Sequence, residues 1–579
     1  MDKQTAARVL DEIATLLELR GDAGFRARAF RSAARALEDL DEDLGALVVR
    51  GELRTVRGLG TTTARVVQEL FETGESSYHE ELRREVPEGL IELLHVPGLG
   101  PKRIHTLHTR LGIASLDDLE QAARAGSVAE VPGFGKRTQE RILEGIAYRR
   151  RTTGRRRRPE ALAVAAELLA WLRADAAVTR AEPAGALRRG LETVDGVDIV
   201  AAVEGDAEPL LARFLALPGA SAGERTGEDA ARVRLGGGLA ARLRVVAPEA
   251  FAAAWLHATG SEAHVAALRE RAAERGLRLD DGGLWAGTRR VDAAEEEAIY
   301  RALGLDVVDP ELREGDGEVE AAGAGLLPRL VTYEDLKGCF HVHTTYSDGR
   351  ATLKEMARAA LERGWRYLGI ADHSQAAAYA GGLRLDDIAR QHDEIDAWNA
   401  EHGDRLWLFK GIEADILADG RLDYAALEGA VLGRFDYVVG SVHSGFGLSE
   451  AEMTERIVRA TEDPHLTFLG HLTGRILLER DGYPLDVEAV IEAAAERGVG
   501  IEINSHPARL DLDWRWWRAA SGRGVCAAIN PDAHDVEGLD DVHYGVTVAR
   551  KGWLGVGNVV NAWGVAEVTA YFGKRKGGA

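Results

Sequence analysis

Between residue 338 and the C-terminus, seven short runs rich in Val, Ile, Leu and Ala recur, each ending on residues that bind metal or phosphate: 338–343, 367–373, 406–413, 437–443, 466–471, 499–504 and 525–534. Helical stretches such as 353–363 and 487–497 lie between most of them, so strand and helix alternate. A repeating βα unit of this length predicts a closed barrel of parallel strands whose C-terminal ends gather on one face, where chemistry sits. The side chains delivered to that face are His341, His343, Asp348, His373, Glu413, His443, His471, Asp532 and His534. A lone histidine at a strand end is more often a capping or packing residue, but nine donors at corresponding places make a metal site. Zinc takes about four ligands, so this set suits two or three divalent ions with a carboxylate such as Glu413 bridging a pair. Side chains alternate along a strand, which predicts that His341 and His343 share a face and that Asp532 and His534 repeat the arrangement on the seventh strand.

At 579 residues the chain is too long for one core and predicts three or four domains. Its net charge of −22 taken alone argues against a nucleic-acid binder, but phosphate is gripped locally. Arg149, Arg150, Arg151 and Arg155 to Arg158 form a basic run that reads equally as a solvated linker or as a DNA contact. Two cysteines, Cys339 and Cys526, lie within apolar runs and make no disulfide framework, which fits a reducing cytoplasm. No apolar run approaches the ~20 residues that span a bilayer, and charged residues stand where a signal sequence would be apolar. The expectation is a soluble cytoplasmic protein without a membrane partner.

Residues 5–40 read as helices, with Ala7, Val9, Leu10, Ile13, Leu16 and Leu17 at helical spacing. Three turns follow: Val56-Arg57-Gly58-Leu59-Gly60, Val96-Pro97-Gly98-Leu99-Gly100-Pro101-Lys102 and Val131-Pro132-Gly133-Phe134-Gly135-Lys136. Each lies between an apolar helix end and a new helix, the helix-hairpin-helix pattern. Gly58, Gly60, Gly98, Gly100, Gly133 and Gly135 permit a tight turn whose backbone N–H groups hold a phosphate without reading a base, with Lys102 and Lys136 adding charge. The first turn lacks both Pro and Lys and is the best candidate for a purely structural role.

His341-Val342-His343-Thr344 with Asp348, Asp372-His373-Ser374, Glu413, Ser441-Val442-His443-Ser444, Gly470-His471 and Asp532-Ala533-His534 resemble the PHP (polymerase and histidinol phosphatase) domain. The resemblance implies a trinuclear cluster, commonly zinc or manganese, that hydrolyses phosphoesters, with His341, His343, Glu413, Asp532 and His534 as catalytic residues. It allots His341, His343, Glu413 and Asp532 to one ion, Glu413, His443 and His471 to a second, and Asp348, His373 and His534 to a third. Residues 183–200 resemble the palm signature of family X DNA polymerases, and 241–246 and 259–264 match further motifs in order. Together these resemblances cover essentially the whole chain and imply a multidomain α plus α/β protein. Its parts would be a helical DNA-binding domain (1–85), a hairpin region with a basic linker (86–157), a mixed α/β palm (158–255), a thumb (256–320) and a distorted seven-stranded PHP barrel (333–579).

The palm departs from the family where its chemistry lives. Polymerases hold two metal ions, magnesium or manganese, with three acidic side chains. Here Gly196 and Arg242 stand at two of those places and only Asp198 remains. Asp195 is one residue away, which on a strand predicts the opposite face. Ala186, His257, Ala258 and Val265 replace further residues of the nucleotide subsite, while Arg188, Arg189, Gly260 and Ser261 keep the motif. The first 90 residues hold a single lysine, Lys3, and arginine stays protonated, so the Schiff-base lyase activity of some relatives is not expected. Arg475 and Arg509 are read as phosphate contacts, and His506 as a phosphate contact or a solvated loop residue. The resulting expectation is a metal-dependent 3′-5′ exonuclease acting on gapped, nicked or 3′-ended DNA in repair, with abasic-site cleavage or 3′-phosphate removal as neighbouring reactions. The alternative is a bifunctional gap-filling polymerase and exonuclease that works through Asp195 and Asp198.

Overall fold

The computed structural model describes residues 3–38, 40, 42–425 and 431–577, in two compact units, 1–153 and 154–579. The first unit is helical. Helix α1 (Lys3–Arg20) buries Ala6, Leu10, Ile13 and Leu17 in steps of three and four, which lays one stripe against α2 (Phe25–Glu38). Helices Thr61–Thr73, Pro101–Leu111 and Lys136–Thr152 each begin on the second glycine of a hairpin turn, with Gly60, Gly100 and Gly135 as N-caps. One apolar core runs from Ala6 to Ile146 and takes in Leu59, Leu99 and Phe134 of the three hairpin turns. Lys3 donates its amine to the carbonyls of Glu38 and Leu40 at 3.1 and 2.7 Å, capping the negative end of α2.

The second unit starts with a five-stranded mixed sheet. Its strands are β1 (Val178–Ala184), β2 (Gly196–Val203), β3 (Ser221–Arg225), β4 (Ala230–Arg234) and β5 (Ala240–Val246), in spatial order β1-β2-β5-β4-β3. Only β2 and β5 are parallel, and their register places Asp198 opposite Arg242. A helical module follows, including Phe251–Thr259 and Glu262–Glu274, with its own core from Ala252 to Leu330. A buried cluster clamps it to the sheet: Glu296 accepts from Arg188 at 2.7 and 2.8 Å and from Arg313 at 3.0 and 2.9 Å.

The barrel strands are β6 (Gly338–Val342), β7 (Tyr367–Ile370), β8 (Trp407–Asp415), β9 (Tyr437–Ser441), β10 (Phe468–Leu469), β11 (Gly500–Asn504) and β12 (Ala527–Asn530). They pair in parallel in sequence order, and a bridge between Val342 and Ala533 brings the last strand back to the first. Aromatic side chains fill the barrel below the face formed by the C-terminal strand ends: Phe340, Tyr367, Phe409, Tyr437 and Phe468, with Phe572 inserted from the C-terminal helix. Gly411 makes this possible, since a Cβ there would lie 2.3 Å from the Tyr437 ring. The sheet, helical module and barrel are joined by ion pairs, among them Arg475 with Glu192 at 3.3 Å and Lys551 with Glu314 at 2.6 Å.

Candidate metal centre and nucleic-acid interface

All nine expected donors converge at the C-terminal mouth of the barrel. Glu413, near the end of β8, stands at the centre. Its Oε1 lies 3.3 Å from His341 Nε2, 3.3 Å from His443 Nε2 and 3.0 Å from His471 Nε2, and its Oε2 lies 2.8 Å from His373 Nδ1. Asp532 Oδ1 is 3.1 Å from His343 Nε2 and 3.6 Å from His341 Nε2. Asp348 completes the outer side, with Oδ1 3.4 Å from His534 Nε2 and Oδ2 3.6 Å from His373 Nε2. Four ligands about 2.0–2.1 Å from a common ion stand about 3.3 Å apart, so these donors are close enough together to hold metal ions.

The electrostatics point the same way. Burial works against charge throughout, yet Glu413 and Asp532 are held well below the usual carboxylate range by the histidines around them. Burial lowers the His343 imidazole to about 4, which leaves it neutral and able to donate a lone pair. His443 is also penalised by burial, but Glu413 and Asp415 carry it up to about 10. His341 Nε2, His343 Nδ1, His373 Nδ1 and Glu413 Oε2 are buried and make no hydrogen bond of acceptable geometry among the described residues. Buried polar atoms are rarely left so, and a cation satisfies all four. Three overlapping donor groups are close enough to hold an ion: His343, Asp348, His373 and His534; His341, His343 and Glu413; and His373, Glu413 and His443.

The route by which the donors arrive differs from simple alternation. His341 has φ 58° at an irregularity in the β6–β7 ladder, and Asp532, with φ 54°, lies past the end of β12 rather than on it. The paired imidazoles of His341 and His343 therefore meet through a distorted strand end, with ring centroids 5.2 Å apart. His471 has φ 23°. Left-handed backbone at a non-glycine costs about 1–3 kcal/mol, and three of the candidate donors, His341, His471 and Asp532, adopt it.

A second layer of carboxylates was not read from the sequence. Glu502 on β11 accepts from His341 Nδ1 at 2.6 Å, from the His471 backbone N–H at 3.0 Å, and from Asn504 and Asn530 at 3.0 and 2.9 Å. Asp415 accepts from His443 Nδ1 at 2.6 Å. Asp372 holds the loop after β6 by accepting from the Thr344 hydroxyl at 2.7 Å and from Gln391 at 2.6 Å. Such partners fix ring orientation and tautomer. Their signal was present as Glu413-x-Asp415, Glu502-x-Asn504 and Asn530-x-Asp532, polar residues two apart in otherwise apolar runs.

Arg475, expected as a phosphate contact, and Arg155, read as either a solvated linker or a DNA contact, are both engaged within the fold. Arg475 is spent inside the protein, donating to Asp513 at 2.6 Å, to Glu192 at 3.3 Å and to the Arg509 carbonyl at 3.0 Å. Arg155 donates to the hydroxyl and carbonyl of Thr193 at 2.9 and 2.6 Å, next to the short two-stranded pairing of Arg156 and Arg157 with Val194 and Thr193. Both are engaged because acceptors within the fold compete with any ligand. Arg509 remains at the mouth, its Nε 3.7 Å from Asp532 Oδ2, with His506 beside the same carboxylate.

The palm is closed at the place where ions would sit. Arg242 Nη1 lies 3.2 Å from Asp198 and 3.5 Å from Asp195. Asp195 thus does not face away; it precedes β2, where alternation no longer applies, and reaches the same guanidinium. Gly196 is tied to this arrangement, since a Cβ there would stand 2.8 Å from Arg242 Nη1 and 2.9 Å from the Ala240 carbonyl. Arg188 is held by Glu296 and stacks on Trp255, and Arg189 binds Glu314. Gly260 and Ser261 form the turn into helix Glu262–Glu274, which Ser261 caps through its hydroxyl.

In the first unit the turn glycines divide. Gly98 and Gly133 have φ 83° and 89°, and a Cβ on them or on Gly60, Gly100 or Gly135 would meet nothing, so these backbones face open space. Gly58 instead packs against α2, where a Cβ would come within 2.9 Å of Ala36. Lys102 and Lys136 are exposed beside the second and third turns. The Arg149 Nε is buried without a hydrogen-bond partner among the described residues.

Family models match residues 1–76 as a helix-hairpin-helix domain, 90–147 as a SAM-like helix-hairpin-helix tandem, 254–314 as a DNA polymerase beta thumb and 340–506 as a PHP domain. Taken with the donor cluster at the barrel mouth, they make this a metal-dependent phosphoesterase of the PHP class built onto a polymerase frame. A protein of Bacillus subtilis (strain 168) described as DNA polymerase/3′-5′ exonuclease PolX is 36% identical over 579 residues, covering 99% of each chain. The chain belongs to the PolX family. Shorter relatives include probable phosphatases of Caldanaerobacter subterraneus, 32% identical over 28% of this chain and 61% of theirs, and Vibrio atlanticus, 28% identical over 36% and 82%.

Proposed function

We propose that this protein is a 3′-5′ exonuclease that shortens DNA strands at the barrel, and that its palm binds DNA without extending it. The observation that carries this reading is the contrast between the two sites: the barrel keeps its nine donors around Glu413, whereas a guanidinium bridges Asp198 and Asp195 in the palm. A fixed cation where a divalent ion is needed opposes it by like-charge repulsion.

The barrel donors fit two or three divalent ions, zinc or manganese. They divide as His341, His343, Glu413 and Asp532; Glu413, His443 and His471; and Asp348, His373 and His534. When bound, such ions activate water and stabilise charge on the phosphoryl group and leaving oxygen. The chain's own residues prepare that site. Glu502 and Asp415 fix the donor nitrogens of His341 and His443, and Asp372 holds the Thr344–Ser347 turn. Arg509 offers a guanidinium to a phosphodiester at the mouth. The open backbones of the second and third hairpins, with Lys102 and Lys136, hold gapped, nicked or 3′-ended DNA without sequence preference. Among the described residues no helix is long and apolar enough to cross a membrane, and Cys339 and Cys526 are free thiols, which suits repair in the cytoplasm.

The test is a denaturing-gel assay on a 5′-labelled primer annealed across a gap, with Mn²⁺, comparing the intact protein with His341→Ala/His343→Ala. The expected result is primer shortening that the variant loses. A variant that still shortens the primer refutes the barrel as the working site. One observation favours a second reading: Asp195 and Asp198 lie together at the palm. If Mg²⁺ or Mn²⁺ displaces Arg242 there, nucleotides are incorporated and Asp198→Ala abolishes incorporation while nuclease action persists.

A further inference from the structure

Tyr379 is out of place for a residue of its kind. The residue is 72% exposed, yet it stands on the rim of the cluster of imidazoles and carboxylates at the barrel mouth. Its ring centroid lies 6.2 Å from that of His373 and 6.3 Å from that of His443, two of the metal-binding imidazoles. Thermal looseness of the loop does not account for the exposure, because both ends of the segment are bolted down. Ser374 N–H donates to the Glu413 carbonyl at 2.9 Å and Leu383 N–H to the His373 carbonyl at 2.8 Å. Between them, Gln375 N–H donates to the Tyr424 hydroxyl at 2.8 Å and Ala376 N–H to Asp423 at 2.7 Å. Ala377 and Ala380, on either side of the exposed ring, are buried. The loop thus uses its small residues as anchors and projects the one large aromatic.

We propose that Tyr379 is the stacking platform for the base of the 3′-terminal nucleotide, a specificity-determining residue that lets the barrel grip a polynucleotide end. This rests on the exonuclease reading above and names what that site recognises besides phosphate. Arg509 is 3.7 Å from Asp532, and Tyr379 stands beside His373 and His443 of the same donor cluster, so a cation for phosphate and an aromatic face for a base share one mouth. Every base has a π-face, so stacking secures an end of any sequence, as a nuclease that removes successive nucleotides requires. A small phosphate ester needs no such surface.

The experiment compares wild type, Tyr379→Phe and Tyr379→Ala on two 5′-labelled strands, one with an ordinary 3′ nucleotide and one ending in an abasic tetrahydrofuran residue. Tyr379→Ala is expected to lower kcat/KM on the ordinary end roughly ten- to hundredfold, chiefly through KM, while Tyr379→Phe stays near wild type. On the abasic end the three proteins should agree. Quenching of a 3′-terminal 2-aminopurine, recorded with chelator so that nothing is cut, is expected in wild type and Tyr379→Phe and not in Tyr379→Ala. Equal loss on both ends would show that the ring acts through the metal site and overturns the proposal. Undiminished activity, or loss of quenching in Tyr379→Phe, also overturns it. Quenching without cleavage by wild type leaves the platform standing and removes the exonuclease reading instead.

Discussion

Glu502→Gln removes one charge from the centre of the barrel mouth and leaves the shape unchanged. The wild-type carboxylate is fully buried, and although burial opposes its charge, the electrostatic attraction and hydrogen bond of His341 hold it below the usual carboxylate range. Its two oxygens accept four hydrogen bonds, from His341, His471, Asn504 and Asn530. An amide has one accepting oxygen, so its NH₂ must face at least one donor, and each buried donor left unpaired costs about 1–3 kcal/mol. In either orientation His341 is affected, because its Nδ1 bond, which sets the ring tautomer and so presents Nε2 to Glu413, is either lost or made to a neutral amide that accepts less strongly than a carboxylate. The expected outcome is divalent-metal affinity weakened about 10- to 100-fold, with most nuclease activity recoverable at high Mn²⁺. Calorimetric titration of Mn²⁺ into chelator-treated protein, beside exonuclease rates against Mn²⁺ concentration, reads both. Metal affinity within about threefold of wild type would refute the idea that Glu502 sets the His341 ligand.

Three further outcomes follow from other parts of the molecule. Exchanging Lys102 and Lys136 for Ala should weaken binding of gapped DNA and reduce the slope of log affinity against log salt by about 0.9 for each phosphate no longer neutralised, measured by fluorescence anisotropy. Glu296 is held at about 2, burial being outweighed by Arg188 and Arg313. A depressed carboxylate contributes stability above its unfolded value near 4.5 that is lost as pH falls through about 2, here about 3 kcal/mol, so Glu296→Gln should flatten acid denaturation followed by tryptophan fluorescence beside Trp255. Restoring an acid with Gly196→Asp alone should fail: the new Cβ meets Arg242 and the Ala240 carbonyl, costing about 1–3 kcal/mol in denaturant titrations, and primer extension should not appear.

The palm illustrates how two changes in one site become one. Arg242 replaces the ion's charge with its own, and Gly196 leaves the room that its guanidinium occupies. With Arg188 and Arg189 tied to Glu296 and Glu314, the groups that would face a triphosphate instead hold the helical module against the sheet. In this structure the acidic and basic groups of the palm are paired with one another.

The barrel and its nine donors were legible because each donor stands near the end of an apolar run, and local pattern reports local structure. The hairpins were legible for the same reason: Gly-x-Gly before a helix is a local signal, although only packing separates Gly58, wedged on Ala36, from Gly98 and Gly133, open to solvent. What a side chain does once it arrives depends on partners far away in the chain. Arg475 and Arg155 had the chemistry of phosphate contacts, and acceptors at Asp513, Glu192 and Thr193 claimed them. Glu502 is one acid among many until closure of the sheet brings it within 2.6 Å of His341, 161 residues earlier. Asp195 was placed on the wrong face because alternation was carried one residue beyond the start of β2. Sequence by itself determined the elements and the kinds of group they carry, since periodicity and residue chemistry act over a few positions. Tertiary structure alone decided which charges are free and which are spent, because pairing is settled by distance in space and by exclusion of water.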